Sequence, residues 1–566
     1  MNATPSTQND ERFKKTTAVL IAVVTMLIAV VTYLQSDAGA RDDAANRDTK
    51  RYSLEAFGKQ VSGDARVNYD YNSAYQAYYE LDLLAAAALT ADDEAAARRY
   101  EALRDEMLNL SPMLQAPYFD PATGHLNVAQ YEADTYLVEI TALQERFAAA
   151  SAVKDAWDSK SNTYIVHLTL LAVALFLYGL SATISGNFTR WIFAVVGTGV
   201  AVVATGWAAT TFLQPVKDLR ECKIADGANA IDAYAQGVGL AYQGEYEQAI
   251  ASFDKALACE PNYINALVER GDANTALGNY GIAAADYEKA RAAGDASANV
   301  AGNLAWVYYL LGRFNEAADM NRLALKAGPG ELWIQYDLAL SLMAANRLDE
   351  ARAEYKVGMD LAAQQVAEAK AAGAEPPSFL WWGLEDAALG LDELIDTIDL
   401  GEGSPPRNSL AAPDAIGEAA FEMSSRLKGL SVALEYTGQP PQGELTAIIS
   451  PFIFAQPLFD DDGNVVDYEP ADAFAYGTDE VSILFDYEEM QDGQEVVFKV
   501  YVDGEEDPSW RFVEPWSLGL SGSADKSLSF AYSNTQVLTP GLYTVEIYVN
   551  SNLAQSGNFE VLDEGE

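Results

Sequence analysis

The stretch YQGEYEQAIASFDKALACEP, residues 242–261, contains a spacing of small and aromatic residues that recurs along the chain. Steps of 34 residues from Ala249 reach three further alanines, and the same steps from Gly244 reach two glycines and an asparagine. The positions reached in this way are Ala283, Ala317, Ala351, Gly278, Gly312 and Asn346. A period of this length over four units predicts helix pairs that bury their apolar faces by stacking on one another.

This pattern resembles the tetratricopeptide repeat family, in which each repeat is a pair of antiparallel helices. The resemblance covers residues 230–365 and implies an α-α superhelix of four repeats. The first helices of the repeats are expected to begin at Ala230, Ile264, Ala298 and Leu332. Asn321 departs from the family at an aromatic position, and Asp295 and Ala363 depart where proline is usual. The region 366–400 is predicted to close the stack, because its residues 379–398 have amphipathic helical spacing.

The resemblance also implies a concave groove, lined by the first helices, that binds peptides or protein segments. The groove positions of the family correspond here to Tyr234, Tyr242, Asn265, Asp272, Trp306, Tyr309, Trp333, Tyr336 and Met343. The groove is thus aromatic and slightly acidic as a whole and includes no Lys or Arg, so it is suited to an apolar or basic segment. In the alternative interpretation, several of these rings pack between helices or against another part of the chain.

Three apolar runs, residues 16–34, 164–184 and 191–213, are each long enough to cross a bilayer as a helix. They predict a multi-pass protein of the cell membrane, with residues 1–15 as an amino-terminal tail and 37–160 as a helical loop domain. Arg12, Lys14 and Lys15 precede the first run, which places the tail inside and the repeats outside. Lys217 and Arg220, which follow the third run, favour the opposite orientation. His167 lies within the second run, where a neutral ring bonded to the backbone is the expected state.

Beyond a linker at residues 401–414, short β-rich runs predict an all-β sandwich over residues 415–566. The motif LTPGLY, residues 538–543, resembles the tyrosine corner of immunoglobulin-like and fibronectin-like sandwiches. That resemblance implies a structural role for Tyr543. The acidic stretch FDDDG, residues 459–463, lacks the glycine spacing of an EF-hand calcium loop and is predicted to be a hairpin turn.

The composition excludes several classes of function. The chain has 566 residues and a formal net charge of −47, which makes nucleic acid a poor partner. Its two histidines and two cysteines leave little material for a metal site, and no sequence motif for catalysis or cofactor binding is present. We therefore expect no enzymatic activity, no cofactor and no metal. Cys222 and Cys259 are expected to be free buried thiols, with pairing outside a cell as the alternative.

Together these features predict a membrane-anchored protein–protein interaction scaffold, whose partners are protein segments and the lipid bilayer. One alternative is a membrane receptor in which the helical loop binds a ligand. In layout alone, that loop is similar to the ligand-sensing bundles of bacterial membrane receptors. A structural component of the cell envelope is the other alternative.

Overall fold

The structure, a computed structural model, describes residues 5–563 except for a set of short segments. Those segments are residues 92, 185, 225–226, 401–404, 437, 441–446, 460–464, 492–493, 508–509, 511, 530–536 and 551. The chain forms two compact units, Met1–Asn279 and Tyr280–Glu566. The boundary between the units falls inside the second predicted repeat. The hairpin turn predicted at 459–463 lies almost wholly outside the described residues.

Two long antiparallel helices dominate the first unit: α1, Pro5–Tyr69, and α5, Val138–Thr183. A third apolar helix, α6, Asn187–Leu213, packs on α5. Residues seven apart are buried along the shared core of these helices, among them Val24, Val31 and Ala38 on α1. This spacing is typical of helices that pack side by side over many turns. Three described helices are long and apolar enough to cross a membrane, and they contain the three predicted spans.

A small helical end connects α1 to α5. After α1 the chain forms a first π segment, Asp70–Tyr75, then α2, Gln76–Thr90, and α3, Glu94–Met107. A short hairpin follows, β1, Phe119–Asp120, and β2, His125–Leu126. Helix α4, Val128–Glu132, and a second π segment, Ala133–Leu137, then lead directly into α5. Tyr78, Leu114 and Phe119 form a core that holds this end together.

The repeat helices begin at the predicted intervals. The first unit contains α7, Ala230–Tyr242, α8, Tyr246–Cys259, and α9, Ile264–Ala276. The second unit contains α10, Tyr280–Ala292, α11, Ala298–Leu310, α12, Phe314–Ala327, α13, Leu332–Ala344, and α14, Leu348–Ala371.

The first helices of the repeats and the second helices of the repeats thus both keep the period of 34 residues that the sequence predicts. The four registered alanines, from Ala249 to Ala351, are completely buried. Gly244, Gly278 and Gly312 have φ values between 73° and 78°, and Asn346 has φ 58°, so each tight turn uses a residue that tolerates the left-handed region. Within each unit consecutive repeat helices pack on one another. The prediction of tetratricopeptide-like helix pairs is confirmed.

Two more helices follow the repeats: α15, Ser378–Leu400, which packs on α13, and α16, Pro413–Tyr436, which packs on α15. The predicted start of the sandwich at residue 415 is wrong, because it lies inside α16. Ile416, Met423 and Leu427 recur on one face of this helix and are buried. A segment of this spacing buries one side of a helix and leaves the other side polar.

The carboxy-terminal region contains two sheets that share one core. The strands are β3, Ile448–Ile449, β4, Ile453–Phe459, β5, Val465–Pro470, β6, Ala473–Phe474, β7, Glu480–Glu488, β8, Glu495–Val502, β9, Glu505–Glu506, β10, Phe512–Pro515, β11, Gly522–Ser529, β12, Gly541–Val549, and β13, Asn552–Val561. The first sheet has the strand order β10-β8-β12-β13-β6, with β9 on β8, and the second sheet has the order β11-β7-β4-β5, with β3 on β7. Phe485 on β7 and Phe498 on β8 meet in the shared core. The hydroxyl of Tyr543 donates to the carbonyl oxygen of Thr539 at 2.9 Å, as the predicted tyrosine corner requires.

Cys222 and Cys259 form a disulfide, with their Cα atoms 5.9 Å apart. The prediction of two free thiols is wrong. The cysteines are 37 residues apart in sequence, but the antiparallel pairing of α7 and α8 brings the end of α8 back to the segment before α7. The disulfide therefore ties that segment to the first repeat.

His167 also differs from the expectation. Its ring is completely buried and packs edge-on against Trp207, with ring centroids 4.8 Å apart. Within the described part of the chain, neither ring nitrogen has a hydrogen-bond partner, so the expected bond to the backbone is not formed.

Candidate functional site

Two of the predicted groove residues of the first unit, Asn265 and Tyr242, bond to α5 and to α4. The amide of Asn265 donates to Glu145 at 2.6 Å, and the hydroxyl of Tyr242 donates to Glu132. Tyr234 is buried, and its ring lies 5.2 Å from that of Tyr263. Internal packing therefore describes these positions better than an open groove does.

Helix α5 approaches the first repeat closely because Gly239 has no side chain. A Cβ atom at Gly239 would lie 2.5 Å from a methyl group of Val138 on α5. An ion pair between Arg146 on α5 and Asp232 on α7 reinforces this contact. The face of α7 that includes Asp232 and Gly239 is therefore covered by α5, which also contains the second apolar span.

Three carboxylates gather where α5 meets α9. Burial, with smaller effects of Asp272 and Glu145, raises the pKa of Glu269 to about 7. Asp272 is one of the predicted groove residues and is half-buried. The cluster places excess negative charge at this contact, and Glu269 is the member that takes up a proton near neutral pH.

In the second unit, the predicted groove residues form an aromatic layer on α11 and α13. The rings of Trp306 and Tyr309 stack with their centroids 5.2 Å apart. Trp333 packs over Gly302, where a Cβ atom would lie 2.4 Å from the indole ring. Tyr309, Tyr336 and Met343 are buried, whereas Trp306 and Trp333 remain half-exposed. Sequence analysis placed these residues on one surface, but only the two indoles are accessible.

Helix α15 extends this surface. It lies against α13, where the Cβ position of Gly390 is 3.1 Å from a methyl group of Leu340. One face of α15 exposes Phe379, Trp382 and Leu389, with exposed fractions of 60%, 63% and 53%. Two exposed carboxylates, Asp386 and Glu393, lie on the same face at helical spacing. From its sequence this segment is predicted only to close the stack, although its apolar and acidic residues recur at steps of three and four.

We call the following residues of α11, α13 and α15 the acidic aromatic face: Trp306, Trp333, Phe379, Trp382, Asp386, Leu389 and Glu393.

The acidic aromatic face carries a negative charge. Burial, followed by the nearby charge of Asp386, raises the pKa of Asp337 on α13 to about 7. Glu393 is close enough to Tyr309 for its charge to help raise the pKa of that phenol, although burial is the larger cause. None of the residues that define the face is basic. Aromatic rings beside carboxylates attract Lys and Arg side chains through both charge and the ring quadrupole.

Among the described residues, no group of three or more His, Cys, Asp or Glu side chains is arranged to hold a metal ion.

Several solved structures are similar to part of this chain. The crystal structure of YrrB, described as a TPR protein with an unusual peptide-binding site, is 16% identical, covers 34% of this chain and 86% of its own, and has a TM-score of 0.24. A structure of MamA AMB-1 is 23% identical over 29% of this chain and 81% of its own, with a TM-score of 0.24. MamA 41-end from Desulfovibrio magneticus RS-1 is 19% identical over 33% of this chain and 94% of its own, with a TM-score of 0.23. No protein-family model and no curated protein matches the chain.

Proposed function

We propose that this protein is a membrane-anchored interaction scaffold, in which the acidic aromatic face binds an apolar, basic segment of a partner protein. The observation that supports this most directly is the exposed apolar stripe on α15, with Trp382 at 63% exposure beside Asp386 and Glu393. Large aromatic side chains supply much of the energy of protein interfaces. Carboxylates beside them favour a partner that carries Lys or Arg.

Anchoring in a membrane is supported by the arrangement of the first unit. With three spans, the loop between the first two spans and the repeats must lie on the same side of the bilayer. Arg220, which follows α6, donates to Asp48 on α1 at 2.8 Å, and Glu145 on α5 bonds to Tyr263 before α9. At the opposite end of the helices, Arg190 pairs with Asp10. Both sets of contacts agree with three crossings.

The disulfide supports an extracytoplasmic position for the repeats, because disulfides persist in oxidising compartments. This can be checked by lysing cells in acid and treating the denatured full-length chain with a thiol-reactive mass tag. We expect no labelling of Cys222 or Cys259 before reduction and two tags after it. Two tags without reduction would argue for a cytoplasmic position.

The binding proposal is tested with the full-length protein in nanodiscs against a displayed library of peptides that vary in charge and hydrophobicity. We expect basic, apolar peptides to be enriched. Trp382→Ala and Asp386→Asn should each weaken the best peptide about tenfold or more. The matched control is Phe421→Ala on α16, which removes a ring of 64% exposure outside the face. Enrichment that survives both variants, or is lost equally in the control, contradicts the proposal.

A further inference from the structure

A separate cleft lies in the first unit, between α1 and the second π segment. Its volume is about 410 Å³, within the range of small-molecule sites in proteins. Its polar lining residues include Lys59, Ser62, Arg66, Tyr118, Asp134 and Thr135. The first three follow one face of α1 at steps of three and four residues, and the others come from the opposite wall.

The walls of this cleft are built around the two π segments. Asp70 belongs to the first segment, is 4% exposed, and accepts hydrogen bonds from the hydroxyl of Tyr131 and from Nε of Arg66. Tyr131 lies on α4, two residues before the second segment. Short π segments inside helices are frequent at functional sites, because the wider turn displaces side chains from the regular helical positions.

The two walls of the cleft carry charges of opposite sign. Lys59 and Arg66 place two cations on α1, whereas Asp134, in the second π segment, is exposed at the other wall. The hydroxyl of Tyr118 donates to Asp134 at 3.1 Å and thereby orients its carboxylate. On the α1 side, Nζ of Lys59 lies 2.6 Å from Glu139, an exposed residue of α5. A ligand carboxylate could replace this exposed partner with little loss of burial.

We propose that the cleft binds a small zwitterion of the free amino acid class. Its carboxylate pairs with Lys59 and Arg66, and its ammonium group pairs with Asp134. The hydroxyls of Ser62 and Thr135 line the same space and provide further hydrogen-bonding groups. A plain carboxylate offers no cation to Asp134, and a plain amine offers no anion to Lys59 and Arg66. The inference is independent of the acidic aromatic face, which belongs to the other unit.

The proposal is tested by calorimetric titration of the full-length protein in nanodiscs with each of the common amino acids. For any that binds, the probes are the same molecule without its ammonium group and the same molecule without its carboxylate. We expect at least one amino acid to bind with a Kd below about 1 mM, and both probes to bind about tenfold more weakly or worse.

Two variants test which side chain contacts each charged group of the ligand. Asp134→Asn should weaken the amino acid about tenfold and leave the carboxylate probe unchanged, whereas Lys59→Gln should weaken the amino acid and leave the amine probe unchanged. Asp155→Asn, an exposed position on α5 outside the cleft, is the matched control and should bind like the unmodified chain. Absence of binding by every amino acid, or binding that both cleft variants leave intact, would overturn the proposal.

Discussion

The phenolic hydroxyl of Tyr263 donates a hydrogen bond to the carboxylate of Glu145 at 2.7 Å. Tyr263 immediately precedes α9, whereas Glu145 lies on α5, so the bond joins a repeat helix to the helix that contains the second apolar span. The other carboxylate oxygen of Glu145 accepts from Asn265 at 2.6 Å. One side chain thus uses both of its oxygens to hold α9 against α5.

Replacement of Glu145 should loosen this contact selectively. Glu145→Ala removes two charge-assisted hydrogen bonds and should cost about 2–3 kcal/mol in the free energy of opening of α9. Hydrogen exchange of the α9 amides in the full-length protein measures this quantity. The matched control is Asp155→Ala on the same helix, whose ion pair with Lys154 is exposed and should contribute little. Equal effects of the two variants would contradict a special role for Glu145.

The stability of the first unit should fall as pH rises toward 8. The pKa of Glu269 is raised to about 7 in the folded chain, chiefly by burial, against about 4.3 in the unfolded chain. Between these values the folded chain binds more protons than the unfolded chain, so the stabilising contribution is complete below about pH 4.5 and is lost as pH rises through 7.

Glu269→Gln should remove this dependence. The variant should be more stable than the unmodified chain at pH 8, by about 1–3 kcal/mol, and nearly equal to it at pH 5. Urea unfolding of the first unit at both pH values measures the difference. Glu247→Gln, an exposed position on α8, is the control. A constant gap between Glu269→Gln and the unmodified chain at the two pH values would contradict the raised pKa.

Two glycines of α1 should respond in opposite ways to alanine. At Gly63 a Cβ atom would lie 2.4 Å from Cβ of Tyr136, so Gly63→Ala must push α1 away from the second π segment. We expect a loss of about 1–3 kcal/mol. At Gly58 nothing lies within 4 Å of the Cβ position, and Gly58→Ala should stabilise the helix by about 0.5–1 kcal/mol. Thermal unfolding measures the change in stability of each variant, and destabilisation by both variants would argue against this packing.

A buried ion pair connects α16 to the β region. Nζ of Lys428 lies 3.1 Å from Glu546 on β12, whose side chain is 2% exposed. Lys428→Met leaves that carboxylate buried without its cation and should cost about 3–5 kcal/mol, whereas adding Glu546→Gln should recover part of the loss. Hydrogen exchange of β12 measures both. The control is Lys356→Met, which breaks an exposed pair with Asp360 and should change little.

The sequence was sufficient to predict features that depend on local periodicity. The 34-residue period located the start of each first helix, the apolar runs located the three long helices, and LTPGLY indicated the bond made by Tyr543. Each of these depends on residues that are close in sequence. The left-handed turn residues at Gly244 and at the positions 34, 68 and 102 residues further on are likewise a local feature of the sequence.

The features that sequence analysis missed depend on contacts between distant segments. No local pattern shows that Glu145 reaches α9, some 120 residues along the chain, or that Cys222 meets Cys259. The cleft is formed where α1 meets a π segment more than 60 residues away, and neither segment alone marks it. Helix α16 lies between a linker and the β-rich runs, and those runs alone do not show that residues 415–436 are helical.

Helix α5 is 46 residues long without a break, which corresponds to about 69 Å. Its amino-terminal end continues the π segment that contains Asp134, its first quarter contains Glu145, and its far half contains His167. Because a continuous helix has no hinge, a shift or rotation of one end also moves the other end. A return of the π segment to regular helix would therefore move the contact of Glu145 with α9 and the apolar half of α5 together, in the same direction and at the same moment.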